Sequence, residues 1–476
     1  MNIILSSDSY KHSHFKQYPE GAKYISSYIE ARGDGQNKVQ FFGIQAFIQQ
    51  YLATPITQTD IDEAEAIITP HGLPFNREGW EYILTRHSGY LPLEIKAVPE
   101  GMLVQTGIPV VQIRNTDPNV PWLTSYIETP LLRSIWYMTA VATLSFCTKV
   151  VIYDGMLQTS DNPTAGLPFK LHDFGARGVS SSESAQLGGM AHLVNFSGTD
   201  TVEALVAVRR VYDDPNTIAG FSIPASEHST MTSWGRENEA GAYANMIDQF
   251  GDGMFSVVSD SYDLFNAVEN ILGGELRDKI LNINGKFVVR PDSGDPVETP
   301  IRTLEILWDR FGGTTNSKGF RVLNPKIGVI QGDGMNFETV GRLVLRLIED
   351  KWSLDNIAFG MGGRLLQGHM RDDMSFAMKA NAINYGGAWQ DLQKKPSTDP
   401  TKASKAGRQV VILTPNGLTS IREDEATPEQ IRADQLHVVY RSDQPVLKRS
   451  FQEVRDRAML ELVRAHRELS SLEEAA

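Results

Sequence analysis

Phe287-Val-Val-Arg-Pro-Asp-Ser-Gly294 is a short apolar run that breaks into a turn of proline, aspartate, serine and glycine. It is one of a series. From about residue 168 the runs Phe169–His172, His192–Phe196, Phe221–Pro224, Met254–Val258, Phe287–Arg290, Ile327–Ile330 and Ile357–Phe359 start 23 to 40 residues apart. Each ends in a loop of Gly, Asp or Ser, and helical spacing of apolar residues follows. Short apolar strands separated by crossover segments are the pattern of a parallel sheet buried on both faces. Seven consecutive units predict a parallel α/β barrel, TIM-like but irregular, in preference to a doubly wound open sheet. In either architecture the loops after the strands gather on one face, where ligand sites form.

The flanks read differently. Leu93–Ile113 alternates between apolar runs and Gly/Pro turns and is β-like, whereas Trp122–Val150 is helical. Strand-like runs return over 409–441. Residues 1–150 are therefore expected to join 385–450 in a discontinuous β-rich domain, with 151–384 as the barrel and 451–476 as a packed C-terminal helix. With 476 residues, 41% of them hydrophobic, the chain can bury a large core in more than one domain. Its net charge of −13 argues against non-specific nucleic-acid binding, though not against locally held anions. A single cysteine, Cys147, rules out an intrachain disulfide and fits a cytoplasmic location. No signal peptide is visible, and the longest apolar stretch, Ser134–Phe146, is shorter than the roughly 20 residues that span a bilayer.

Most candidate chemistry lies just after the strands. In Lys170-Leu-His-Asp-Phe-Gly-Ala-Arg-Gly178, Phe174 and Arg177 are either a core ring and a surface charge, or a stacking platform and a phosphate ligand. Asp200 with Glu203 reads as a helix-capping pair or as a carboxylate for a substrate amide. His228, after the Phe221–Pro224 run and near a helix start, is either a packed residue or a nitrogen nucleophile available at neutral pH. Asp260 would then hold its other ring nitrogen. Arg290 and Asp292 enter a turn that can hold sugar hydroxyls or phosphate, or that is an ordinary Pro-Asp-Ser-Gly turn. Two glycine loops in series, Gln331-Gly-Asp-Gly334 and Gly360-Met-Gly-Gly363, suggest close backbone approach to phosphates. A basic stretch follows (Arg371, Lys379, Lys394, Lys395, Lys402, Lys405, Arg408). There is no Walker A loop and no paired Cys/His metal set, so magnesium would arrive with phosphates.

Together these segments resemble the nicotinamide phosphoribosyltransferase family. The resemblance starts at Asp8-Ser-Tyr-Lys11 and Lys16-Gln-Tyr-Pro19. It continues through His71-Gly-Leu-Pro74, Leu171-His-Asp-Phe-Gly175, Gly198-Thr-Asp-Thr-Val202, Glu227-His-Ser-Thr230, Val258-Ser-Asp-Ser-Tyr-Asp263, Arg290-Pro-Asp-Ser-Gly294 and Val329-Ile-Gln-Gly-Asp-Gly334. Asn356-Ile-Ala-Phe-Gly360 and Ser404-Lys405 extend it to nearly the whole chain. It implies transfer of phosphoribosyl from 5-phosphoribosyl 1-diphosphate to nicotinamide, giving nicotinamide mononucleotide and diphosphate in NAD salvage. It also implies Mg2+, ATP as a coupled co-substrate, and a homodimer with sites at the subunit interface.

Matched residue by residue, the resemblance puts Phe174 and Tyr10 of the second subunit on the two faces of the nicotinamide ring. Asp200 and Arg290 fall at the carboxamide. Arg32, Arg177, Arg371, Lys379 and Lys402 fall at phosphates, Asp292 and Asp333 at ribose hydroxyls, and Gly332, Gly362 and Gly363 at backbone contacts. His228 is implied to be phosphorylated by ATP, with Glu227 and Asp260 assisting. Ala176 and Arg364 depart from the family pattern, and Arg364 is expected to add a phosphate contact. The competing readings are a nicotinate phosphoribosyltransferase, against which an ionised Asp200 argues by repelling a carboxylate, and a non-catalytic nucleotide-sensing relative, against which the retained His228, Asp260, Arg290 and Asp292 argue.

Overall fold

The computed structural model describes residues 2–33, 37–212, 214–398, 402–415, 417–442 and 449–473. Contacts divide the chain into two units. Met1–Thr143, Arg209–Asp214 and His369–Glu461 form the first, and Leu144–Val208, Pro215–Gly368 and Leu462–Ala476 the second.

The first unit is built on a six-stranded antiparallel sheet. Its strands run in the order Trp389–Asp391, Phe376–Asn384, Tyr24–Ala31, Pro109–Asn115, Leu93–Ala97, His437–Arg441. The unit resumes at His369, not at 385 as the sequence suggests. Phe376–Asn384 pairs along its length with Tyr24–Ala31, a partnership of such sequence separation that no local pattern reveals it. Gln409–Thr414 and Gly417–Arg422 form a separate hairpin. Packed around the sheet is a continuous core that includes Phe41, Phe47, Trp80, Ile95, Val111 and Ile135.

One expectation fails on the helix Glu128–Thr159. At 32 residues it is long and apolar enough to cross a bilayer by length and composition. Thr139, Thr143 and Ser145 do not interrupt it: Thr143 returns its hydroxyl to the Thr139 carbonyl at 2.6 Å, Thr139 donates to the Phe42 carbonyl at 3.1 Å, and Ser145 meets the His192 ring at 3.0 Å, so each polar group is satisfied. Of its most apolar window, 67% is buried within the protein, as in a core helix.

The second unit carries the repeated strands. They are β1 (Leu171–Asp173), β2 (Gly198–Thr199), β3 (Met254–Val258), β4 (Lys286–Arg290), β5 (Ile327–Gln331) and β6 (Ile357–Met361). They form one parallel sheet in the order β2-β1-β6-β5-β4-β3. The sheet is curled. Its two edges are each bridged to the segment 221–225, through Gly198–Phe221 on one side and Ala225–Ser256 on the other. Helices follow the strands as the spacing predicts. Phe337–Glu349 buries Val340, Leu343, Val344 and Leu347 on one stripe, and Asn336 caps it by accepting from the Thr339 N–H.

The run His192–Phe196 is not a strand. It closes the helix Ser182–His192 and turns, and the strand in this place is the two-residue β2. Leu193, Val194 and Phe196 are buried, and a buried helix end reads as the same apolar run.

Asn356 ties the entry to β6. Its Oδ1 accepts from the Leu323 N–H at 2.8 Å, and its Nδ2 donates to the carbonyls of Arg321 and Ser353 at 2.8 and 2.9 Å. Asn356→Ala would leave the buried Leu323 N–H unpaired and take one of two donors from each of the Arg321 and Ser353 carbonyls. It is expected to destabilise the protein by about 2–4 kcal/mol in chemical denaturation; a loss below about 0.5 kcal/mol would contradict this.

Candidate active site

Alternate residues of a strand point to the same face. Along the inner face of the curled sheet this rule stacks the residues in layers. A cavity of about 440 Å³ is lined by Lys170 and His172, Lys286 and Val288, Gly328 and Ile330, and Asn356 and Ala358. One step further along each strand come Phe174, Arg290, Gly332 and Gly360. The C-terminal rim of the sheet is therefore where the sequence-derived candidates converge.

Phe174 lies against two strand ends. A Cβ at Gly360 would sit 2.0 Å from its ring, and one at Gly332 would sit 3.1 Å away. Its own N–H donates to the Met361 carbonyl at 2.9 Å. These two glycines thus make room for a ring. Glycine is needed differently at Gly178 and Gly363, where the two backbones touch: a Cβ on Gly178 would lie 2.9 Å from the Gly363 Cα. Ser180 N–H also donates to Gln367 Oε1 at 3.0 Å. The loops after β1 and β6 are stitched together, and they carry the exposed Arg177 and Arg364.

Asp200 follows β2. Its N–H donates to the Asp173 carbonyl at 2.9 Å, and its Oδ1 accepts from the Ser222 hydroxyl at 2.6 Å. The capping pair does not form: Glu203 accepts instead from Ser182, at 2.9 Å. Below Asp200, burial pushes the His172 imidazole down, against the pull of Asp200. Burial likewise pushes the Lys170 ammonium down to about 8, and that group donates to the carbonyls of Leu354 and Ile357 at 2.5 and 2.8 Å.

His228 opens the short helix His228–Thr232. Its Nε2 faces Asp260 Oδ1 at 2.9 Å, while its Nδ1 lies 3.9 Å from Asp292 Oδ2. A carboxylate at hydrogen-bond distance selects the Nε2–H tautomer and leaves the Nδ1 lone pair outward. The ring is half-exposed and Asp260 is nearly buried, so the pair is fixed on the protein side and open on the other. Asp292 sits equally near Arg290, 3.9 Å from its NH2. Glu227 is engaged by the Ser229 hydroxyl in a short contact.

Arg290 donates from NH2 to the Ser226 carbonyl at 3.3 Å, but its Nε is buried without a partner. The hydroxyl of Ser256, on the neighbouring strand β3, is buried and unpartnered too. A buried donor left unmade costs stability unless a ligand takes it. Ser222, Ser226 and Ser256 were not singled out in the sequence. Serines after apolar runs are common, and only their period-2 position on the sheet could have flagged them.

Gly332 and Gly362 are half-buried and Asp333 is exposed at the same rim. Tyr10, Arg32, Arg371, Lys379 and Lys402 belong to the first unit. There Tyr10 is 56% exposed, and Arg371 pairs with Asp372 at 2.8 Å. Arg32 and Lys379 are half-buried, and Lys402 is exposed.

A curled parallel α/β sheet with an aromatic ring, a carboxylate and a His–Asp pair on its C-terminal rim is the arrangement of an α/β enzyme. The comparisons narrow the class. Residues 169–444 match the model of the nicotinate phosphoribosyltransferase (NAPRTase) family, and residues 2–95 match the nicotinamide phosphoribosyltransferase N-terminal domain. The chain is 45% identical to a nicotinamide phosphoribosyltransferase of Xanthomonas campestris, over 96% of this chain and 98% of that one. It is 32% identical to another from Acinetobacter baylyi, over 97% and 98%. The fold is similar to nicotinate-nucleotide pyrophosphorylase from Pyrococcus furiosus, with a TM-score of 0.61, 15% identity and coverage of 96% and 95%. It is also similar to human nicotinic acid phosphoribosyltransferase, with a TM-score of 0.54, 16% identity and coverage of 96% and 94%. The chain belongs to the nicotinamide phosphoribosyltransferase family.

The Phe174 platform should be sensitive to a single methyl group. Gly360→Ala must displace the ring, and KM for the ring-bearing substrate is expected to rise by at least about tenfold, the effect of roughly 1.4 kcal/mol of lost stacking. An unchanged KM in a folded Gly360→Ala protein would show that the ring does not contact substrate.

Proposed function

We propose that the chain transfers the phosphoribosyl group of 5-phosphoribosyl 1-diphosphate to the ring nitrogen of nicotinamide, releasing diphosphate. The observation that carries this reading is that Asp200 and Arg290 are both held by the segment 222–226, through Ser222 and Ser226, at the rim where Phe174 lies. Asp200 can accept from an amide N–H, and the orphaned Arg290 Nε–H and Ser256 hydroxyl can donate to an amide carbonyl. A carboxamide presents one donor face and one acceptor face and satisfies both. A carboxylate would face Asp200 charge to charge. Phe174 covers one side of the ring, and Tyr10 of a second copy covers the other in a homodimer.

The substrate's own nitrogen makes the new glycosidic bond at ribose C1 as the bond to diphosphate breaks. The chain's residues bind, orient and exclude water. Asp292 and Asp333 take ribose hydroxyls, while Arg177, Arg32, Lys379, Arg371 and Lys402 take phosphates, with backbone contacts from Gly332, Gly362 and Gly363. Magnesium enters as part of the diphosphate substrate. Among the described residues no three His, Cys, Asp or Glu side chains converge as a site for a resident ion. The curled sheet serves as an irregular barrel and the antiparallel unit as its accessory β-rich domain, and the enzyme works in the cytoplasm.

His228 couples ATP to the transfer. Its Nδ1 attacks the γ-phosphorus, the bond to ADP breaks, and the Nε2–H stays on Asp260, which stabilises the positive ring. Asp292 stands beside the arriving phosphoryl group with Arg290, and Glu227 fixes the helix start that presents the ring. Hydrolysis of the phosphohistidine then restores the histidine.

Two measurements test these steps. Turnover of nicotinamide is expected to exceed that of nicotinate by at least about a hundredfold in kcat/KM, and Asp200→Asn should reduce that ratio more than it reduces stability; preference for nicotinate would overturn the reading. Incubation with ATP should place phosphate on His228 Nδ1, read by NMR of the phosphopeptide, and Asp260→Asn should slow labelling by about a hundredfold. Phosphate on Nε2, or none, would contradict the coupling.

A further inference from the structure

In the first unit, the strand Tyr24–Ala31 and its neighbour Phe376–Asn384 bring together charges far apart in sequence. Tyr28 is registered opposite Lys379, and Glu30 lies one step along the same face. Glu30 is buried, at 6% exposure. Its Oε1 accepts from the Tyr28 hydroxyl at 3.4 Å, and its Oε2 is buried with no hydrogen-bond partner. The nearest cation is Lys405, whose Nζ stands 4.0 Å from that free oxygen. The Lys405 N–H also donates to the Tyr28 hydroxyl at 2.8 Å, which fixes the loop against the strand.

The field around Glu30 comes from Lys405, Arg32 and Lys379, with Tyr28 as a neutral donor. Burial pushes the Tyr28 phenol well above its usual range, so it keeps its proton. On the strand at the other side the opposing positions are Gln112 and Pro109, which carry no charge. Lys379 in turn feels Glu128, Arg32, Lys394 and Lys11, and Lys11 is already paired with Glu128. One buried carboxylate thus lies in the field of three cations, the nearest of them, Lys405, at 4.0 Å, too far for a hydrogen bond. That geometry suits a counter-charge that holds the cations until a stronger anion arrives.

We propose that Glu30 is a positioning residue that couples anion binding at Arg32, Lys379 and Lys405 to the uptake of one proton. When a phosphate or diphosphate group takes these cations, Glu30 loses their field and gains a negative neighbour. Both changes favour its neutral form, so a proton from solvent adds to the free Oε2. The sign follows from linkage: binding takes up a proton and weakens as pH rises. Burial already holds this carboxyl above the ordinary carboxylate range, which moves the effect towards neutral pH. The inference rests on the assignment of Arg32 and Lys379 to substrate phosphates under the proposed function and places Lys405 beside them.

The test is calorimetry of inorganic diphosphate binding to the full-length protein, in two buffers of different ionisation enthalpy across a pH series. E30Q, nearly isosteric with the protonated acid, is the reference. The ligand's own ionisation cancels in the difference. Wild type is expected to take up as much as about one more proton than E30Q, and its affinity should fall relative to that variant by up to about tenfold per pH unit. Equal proton counts in a folded E30Q would overturn the proposal, whatever happens to affinity. R32A and K379M should weaken diphosphate binding in both backgrounds. If they leave it unchanged, the phosphate assignment itself fails, and this inference with it; if they weaken it while proton counts stay equal, only this inference fails.

Discussion

The Phe174 ring can occupy its position because two neighbouring strand ends lack a Cβ. Parallel strands stand a little under 5 Å apart, so a ring laid across their ends must meet backbone at both. Gly332 and Gly360 permit that contact, and the Phe174 N–H, bonded to the Met361 carbonyl, holds the platform at a fixed height. The other groups of the rim take their places around it by the same alternation. Asp200 follows Gly198, and Arg290 follows Lys286 and Val288. A planar ligand stacked on Phe174 would find its polar partners already aimed, and it is this preorganisation that limits the entropic cost of binding.

The polar side of the site works by incompleteness. Asp200 has one oxygen occupied by Ser222 and the other available. Arg290 spends NH2 on Ser226 and keeps Nε unpaired in a buried place. His228 is similar: Asp260 occupies one nitrogen and leaves the lone pair of the other facing outward. In each case a structural hydrogen bond sets the direction of an unused group. Asp200 and His228 are hydrated in the free protein, whereas the buried Arg290 Nε costs stability until a ligand of matching polarity takes it.

The parallel sheet and the positions of most site residues were legible in the sequence because short apolar strands ending in Gly/Asp/Ser loops are a local signal. Five of the six strands fall within or across runs read from the sequence. The exception is β2, whose two residues are too few to leave a pattern, beside a helix end apolar enough to mimic a strand. The strand Phe376–Asn384 was missed for another reason. Its partner lies near the N-terminus, and hydrogen bonding across that separation has no local signature. The glycine loops were read as places of close approach to phosphates, and at Gly332 and Gly360 the structure brings a ring close as well. A Cβ-free position announces that something comes near, not whether it is a phosphate or a ring.

Charge is distributed against the net balance. In a chain of −13, Arg177 and Arg364 stand exposed on two loops joined through Gly178 and Gly363, while Arg32, Lys379 and Lys405 share a single buried carboxylate. Arginines in the first set need no counter-ion, because water solvates them. Cations in the second are partly buried, and without Glu30 they would repel one another in a medium that screens them poorly. An anion of two or more charges does what Glu30 does, and does it better. On the proposal above, the carboxylate that faces these cations in the empty site is neutralised when the site is full, and a proton on its free oxygen lets the sheet exchange one counter-charge for another without moving a strand.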